Sequence, residues 1–188
     1  FFSLLFSFMG VLLPIQTFAQ NKKAYGVLSE DGKTFTFRYD EQGDKYTAFD
    51  FGHESVSESV EKVIFAPSFK AYRPTSTASL FQGCYRLKEI DGIEYFYTGQ
   101  VTDMSCMFDG CCSLTSLNLS NFNTEQVTDM SDMFHGCCLL TSLNFSNFNT
   151  EQVTDMNNMF TECGRLNELD LSSFNTGNVT NMWARSEE

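Results

Sequence analysis

Residues 114–134 read LTSLNLSNFNTEQVTDMSDMF, and residues 140–160 read LTSLNFSNFNTEQVTDMNNMF. Three of the 21 positions differ: Leu119 becomes Phe145, Ser131 becomes Asn157, and Asp132 becomes Asn158. The repetition extends in both directions. Val101, Val127, Val153 and Val179 each open V-T-[DN]-M at a constant spacing of 26 residues. Behind them recur Met107, Met133 and Met159, then Phe108, Phe134 and Phe160, then Cys111, Cys137 and Cys163. Leu114, Leu140 and Leu166 follow, with Leu117, Leu143 and Leu169, with Leu119, Phe145 and Leu171, and with Phe122, Phe148 and Phe174. A diverged unit, SLFQGCYRLKEIDGIEYFYTGQ at residues 79–100, keeps Phe81, Cys84, Leu87, Ile90, Phe96 and Thr98, with one extra residue near Asp91-Gly92. Apolar positions at fixed spacing need an apolar neighbour at the same height, so one unit cannot bury its own face while stacked units bury a continuous column.

Two periods alternate inside a unit. L-T-S-L-N-L (114–119) is short, apolar at 114, 117 and 119, and predicts a strand entered from an irregular turn. T-D-M-S-x-M-F-x-G begins with cap-type residues and places Met104, Met107 and Phe108 at i, i+3 and i+4, with Gly110 where a helix would end. The expectation is one short strand plus about two turns of helix per unit. N-F-N-T (121–124) supplies Asn for a tight corner.

A strand-plus-helix unit with L-x-x-L-x-L is the leucine-rich-repeat pattern. The fold class predicted is an α/β repeat: a leucine-rich-repeat solenoid of short helix and short strand, capped by an N-terminal β segment. The string V-T-D-M-x-x-M-F-x-G-C-x-x-L-T-S-L-N-L-S-N-F-N-T resembles the BspA-type leucine-rich-repeat surface proteins of bacteria over residues 76–182, and residues 21–75 resemble that family's lead-in. The resemblance implies a cell-surface or secreted protein. Some relatives are adhesins for host matrix proteins or other bacteria; most have no known function.

The predicted organisation has an export signal at residues 1–19, a β-rich cap at 20–75 and the array at 76–188. The array divides into a diverged unit (76–100), units at 101–126, 127–152 and 153–178, and a truncated unit at 179–188. The first segment, FFSLLFSFMGVLLPIQTFA, is apolar and uncharged and ends in the small-residue pattern of an export cleavage site. It lacks a basic stretch and a starting Met, so the sequence is expected to begin inside the signal, with the mature chain starting near Gln20. A membrane anchor is the alternative, disfavoured by Pro14 and the shortness of the run. In the cap, Asp31-Gly32 between β-rich runs predicts a hairpin, EQGDK (41–45) a turn, YTAFDF (46–51) a third strand and VEKVIFAP (60–67) a fourth. A separate small domain on a linker around Arg73–Thr77 is the alternative. After NVTNM, Arg185 and Ser186 stand where the repeat asks for Met and Phe, which reads as a fragment or early stop that exposes Val179 and Met182.

The chain has 188 residues, 42% of them hydrophobic and 20 of them Phe, which allows a packed core. Net charge is −12, concentrated in residues 101–188, which hold twelve acids against Arg165 and Arg185. No Lys follows Lys88, and without clustered Lys and Arg a nucleic-acid partner is not expected.

The candidate sites fall in columns. Cys84, Cys111, Cys137 and Cys163 share one repeat position. Stacked thiols pointing one way make poor disulfides, and no C-x-x-C or clustered His accompanies them, so a buried small hydrophobe is expected rather than a metal or redox site. Cys112 and Cys138 adjoin that column, but Gly164 takes their place in the third unit, and Cys106 is unique to its own. Seven Cys is odd, so under oxidation at least one stays unpaired or links chains. Asp103, Asp129 and Asp155, with Asn181, are read as helix N-terminal residues rather than a Ca²⁺ ladder, since no D-x-D-x-D-G loop is present. His135 stands where Asp109 and Thr161 stand in neighbouring units, His53 lies beside Glu54, and no nucleophile, zinc or phosphate motif accompanies either. No enzymatic activity, metal or cofactor is predicted.

The candidate binding face is the polar side of the predicted strands: Ser116, Asn118, Ser120 and Asn121, then Ser142, Asn144, Ser146 and Asn147, then Glu168, Asp170 and Ser172. It lacks the Trp, Tyr and Arg of binding hot spots, so binding would be weak per unit and would depend on many units. The function predicted is recognition of, or adhesion to, host matrix proteins or other cell-surface proteins. The alternative is a spacer within a larger surface protein.

Overall fold

The computed structural model describes residues 22–183 apart from residue 168. The candidate export segment, Glu168 and the tail after Trp183 lie outside these residues. Within them the units lie one on the next, and the contact between units is a backbone ladder. The N–H groups of Met104, Cys106, Phe108 and Gly110 donate to the carbonyls of Asp129, Ser131, Met133 and His135 at 3.0, 2.9, 2.9 and 2.8 Å. Met130, Asp132, Phe134 and Gly136 do the same toward Asp155, Asn157, Met159 and Thr161. Thr77, Ser79, Phe81 and Gly83 of the diverged unit donate to Asp103, Ser105, Met107 and Asp109.

The predicted helix is not formed, and no α-helix occurs among the described residues. The reason is backbone chirality. Cys106, Asp132 and Asn158 have φ of 55°, 54° and 52°, and Gly110, Gly136 and Glu162 have 73°, 67° and 61°. A left-handed residue costs an L-amino acid about 1–2 kcal/mol and stops a right-handed helix. Placed four residues apart, two of them break the stretch into successive turns, in which Met107, Asp109 and Cys111 donate three residues back to Met104, Cys106 and Phe108. The amides between these are left to reach the next unit. The i, i+3, i+4 spacing still directs Met104, Met107 and Phe108 inward, all fully buried, because tight turns return the chain to the same side about as often as a helix does.

The strands are shorter than predicted. β1 (Lys23–Leu28) and β2 (Thr34–Asp40) form the hairpin, with Gly32 left-handed at its turn. β3 (Lys62–Phe65) pairs parallel with β2, and β4 (Glu89–Asp91) pairs parallel with β3. One sheet, in the order β1-β2-β3-β4, therefore runs from the N-terminal segment into the first repeat unit. Residues 46–51 are not a third strand. Ala48 makes a single bridge to Tyr25, after which His53 and Glu54 both turn back to the Asp50 carbonyl. Phe49 and Phe51 instead pack around the buried Phe37 with Phe65 and Phe69. Residues 41–45, predicted as a turn, form a short 3-10 helix. In the array, β5 (Ser116–Asn118) and β6 (Ser142–Asn144) pair in parallel register. Described residues 169–171 form no strand, so the predicted three-strand face is a two-strand sheet.

Two side-chain columns hold the coils. Phe108, Phe134 and Phe160 stack nearly parallel, with centroids 5.6 and 5.9 Å apart, and full burial of one such ring is worth about 1.5–3 kcal/mol. The other column is polar. Thr98, Thr124 and Thr150 are buried, and each hydroxyl both donates to the carbonyl and accepts from the N–H of Asn123, Asn149 or Asn175 in the next unit, at 2.7–3.0 Å. Replacing Thr124 by Val keeps its shape and leaves both Asn149 backbone groups without a partner, each a loss of about 1–3 kcal/mol at a buried site. Thr124→Val is expected to lower unfolding free energy by about 2 kcal/mol or more in urea titration, with an unchanged denaturant slope.

Candidate functional site

The polar face is built on β5, β6 and the segment after residue 168. Ser116 lies directly opposite Ser142, and Asn118 opposite Asn144. Beside β6 lies a cleft of about 270 Å³ lined by Leu143, Asn144, Phe145, Ser146, Asp170, Ser172 and Ser173. Of the predicted face residues, Ser116, Asn118, Asn121, Ser142, Asn144, Ser146, Asn147, Asp170 and Ser172 are exposed and Ser120 is half-buried; Glu168 is not described.

These residues divide by what their side chains already do. The Oδ1 atoms of Asn118, Asn144 and Asp170 accept from the N–H groups of Ser120, Ser146 and Ser172 at 3.0, 3.0 and 2.9 Å. Asn118 and Asn144 end their strands by closing a turn, and Asp170 closes the same turn in the third unit. Hydrogen bonds from Ser172 hold the Asp170 carboxyl below the usual carboxylate range. Asn121 Nδ2 donates to the Ile93 carbonyl at 2.9 Å, Asn147 Nδ2 donates to the Ser120 carbonyl, and Ser173 Oγ donates to the Phe145 carbonyl at 3.0 Å. Two rows of the predicted face thus serve the scaffold. Ser116 and Ser142 remain, with Ser120 and Ser146 beside the turns, their hydroxyls without a hydrogen bond among the described residues.

The other candidates also settle into structural tasks. Asp103 and Asp129 each accept from the N–H and hydroxyl of Ser105 and Ser131, with Oγ–Oδ1 distances of 2.6 Å. With Asp155 and Asn181 they form successive parallel bridges. They cap turns; the helix ends predicted for them do not exist. The Cys column points its thiols at the preceding coil: Cys84, Cys111, Cys137 and Cys163 Sγ donate to the carbonyls of Val56, Phe81, Phe108 and Phe134 at 3.0–3.3 Å. Burial pushes the Cys84 thiol up to about 12 and Cys163 to about 11, which keeps them protonated as donors. Among the described residues no cluster of three His, Cys, Asp or Glu could hold a metal ion. None of their helices is long and apolar enough to cross a membrane.

Sequence reading missed the Thr98–Thr124–Thr150 column and the left-handed pair in each unit. Both carry a sequence signal: an unvarying Thr two residues after Phe, and Asp or Asn at the position of Cys106 in the later units. His135, which stands where neighbouring units hold Asp109 and Thr161, joins one row of an outer polar ladder. Its Nδ1 lies 2.7 Å from Asp109 Oδ1, and Gln82 Nε2 donates to Asp109 Oδ2 at 2.9 Å.

The family described as "Mycoplasma protein of unknown function, DUF285" matches residues 75–185, and the chain belongs to that family. A comparison with curated proteins found no match. Among solved structures, the chain is similar to the "T. pallidum Leucine Rich Repeat protein (TpLRR)" at 14% identity and a TM-score of 0.31, over 86% of this chain and 96% of that one.

The Asp109–His135 pair makes stability depend on pH. The hydrogen bond that the Asp109 carboxylate accepts from His135 raises the His135 pKa; partial burial opposes it, and the charges of Asp109, Glu162 and Asp132 add to the rise. A raised folded-state pKa gives stability that is complete below the unfolded value of about 6.5 and is lost as pH climbs through the folded value. Urea midpoints are therefore expected to fall as pH rises above about 6.5 in the native chain and to fall less in His135→Gln. Equal slopes in the two proteins would remove His135 as the cause.

Proposed function

We propose that the chain is an exported leucine-rich-repeat solenoid of a bacterial surface, and that its strand face recognises other proteins. The candidate partners are host matrix proteins and the surface proteins of other cells. The observation that carries this reading is the register of β5 and β6. It sets Ser116 beside Ser142, next to a cleft lined by the apolar Leu143 and Phe145 and by the polar Asn144, Ser146, Asp170 and Ser172. Small hydrogen-bonding groups repeated at the spacing of neighbouring strands, about 5 Å, suit an extended chain or a flat protein surface. The absence of Trp, Tyr and Arg from the face makes each contact weak, so affinity would come from many units or copies. The reading gives the chain no catalytic role and no cofactor.

A spacer role is the second reading, and one observation favours it. Asn118, Asn144, Asp170, Asn121 and Asn147 already serve turns and inter-coil bonds. A ligand would meet fewer free groups than the composition of the face promises.

The test must leave those turn residues alone. Ser116→Lys combined with Ser142→Glu covers the face with long side chains, keeps the net charge, and places opposite charges directly across two strands, which does not weaken the sheet. Saturable binding of the native chain to immobilised fibronectin or fibrinogen, weakened at least tenfold in this variant at equal circular dichroism, is the expected result. No binding by the native chain favours the spacer, and equal binding by both overturns the strand face as the site.

A further inference from the structure

The cysteine column leaves two thiols outside it. Cys112 and Cys138 hold the same place in successive units and lie toward the surface, half-buried and exposed respectively. Their sulfur atoms are 3.6 Å apart. Both thiols point at one acceptor, the Gly136 carbonyl, at 3.1 and 3.2 Å. The column thiols differ, since each points at a carbonyl of its own in the coil before it. Gly164 follows Cys163 in the third unit, so the outer pair has no third member.

We propose that Cys112 and Cys138 are a disulfide site that staples two successive coils of the array. The backbone at this point is already fixed for it. Gly110 donates to the His135 carbonyl at 2.8 Å, and a Cβ on Gly136 would lie 3.4 Å from the Gly110 Cα. Coils stacked in register lie about 5 Å apart in general, inside the Cα range of ordinary disulfides. Closing the sulfur gap from 3.6 Å to the bond length takes about 1.5 Å, within reach of side-chain rotation at two surface residues. Stacked register by itself does not produce this, because the column thiols are turned inward onto carbonyls.

The oxidant is a small disulfide or the disulfide form of a thiol–disulfide oxidoreductase. Cys138, the more exposed thiol, gives up its proton and attacks one sulfur of that disulfide, releasing the first leaving thiol. Cys112 then gives up its proton and attacks the Cys138 sulfur of the mixed disulfide, releasing the second. The protein loses two hydrogens and two electrons, and the oxidant becomes two thiols. The loop closed spans two coils that are folded against each other beforehand, so the bond fixes the unfolded chain without requiring a change in the fold.

The test uses the full chain in a glutathione buffer rich in the oxidised form, quenched by alkylation under denaturing conditions. Chymotryptic cleavage after Phe122 or Phe134 separates Cys112 from Cys138. The expected product is a peptide pair joined through these two residues, lighter by two hydrogens, released by dithiothreitol, and absent from Cys112→Ser and from Cys138→Ser. The oxidised chain should unfold at higher urea than the reduced chain, and the difference should vanish in the double variant. Alkylation of both thiols, a glutathione adduct that does not resolve, or a link between two chains would each overturn the proposal. Fragmentation of the peptide pair from the native chain distinguishes Cys112 and Cys138 from the adjacent Cys111 and Cys137, so the answer does not depend on how the variants fold.

Discussion

The structure depends on the direction in which every second amide of the turn segment points. In each unit, four N–H groups from Met104 to Gly110, or from Met130 to Gly136, find their acceptors one coil away. A buried amide without a partner is expensive, so a unit folded alone would leave these groups orphaned or water-bound. That requirement ties the fold of one coil to the presence of the next, as the apolar column does. Left-handed residues are the means by which the chain turns those amides outward from its own axis. Asp132, Asn158 and the glycines at 110 and 136 are the residue types that adopt this conformation most readily, whereas Cys106 adopts it at a cost. Gly110 also lies close to the Gly83 backbone, where any Cβ would come within 3.6 Å.

The side chains repeat the logic of the backbone. Thr98, Thr124 and Thr150 bridge units through both functions of one hydroxyl, and Thr102, Thr128 and Thr154 add an outer row of hydroxyl bonds to the preceding coil. The aromatic column adapts where the repeat varies. Phe145 takes the place of Leu119 and meets Phe134, Phe148, Phe160 and Phe174 edge-on at 4.9–5.8 Å. That arrangement gains contact with both aromatic rows without disturbing the parallel stacking of Phe134 on Phe160.

What the sequence made legible was the side-chain half of this design. The 26-residue spacing placed Met107, Phe108, Cys111, Leu114 and Phe122 inside, and all are buried. What it hid was the backbone half. Periodicity reports which side chains go in, and a pair of tight turns imitates a helix in that respect, so Met104, Met107 and Phe108 suggested a helix that the left-handed residues forbid. The face was legible as a row of polar residues, yet their tasks were not. Asn118 and Ser116 look alike in sequence, but one closes a turn onto Ser120 and the other faces outward. The outer cysteines were hidden for a similar reason. Composition distinguishes them from the column only by the missing third copy, while their shared acceptor depends on which way the turn after Gly136 runs.

The account stands most directly on the amides of Asp132, Phe134 and Gly136, which donate to Asn157, Met159 and Thr161. Residue-resolved hydrogen exchange measures them. The prediction is that these three, with Met130, exchange slowly and together, through opening of the whole array, while the exposed corner at Gln126 exchanges fast. Exchange of Asp132 and Gly136 as fast as Gln126, with Phe134 still protected, would contradict the inter-coil ladder.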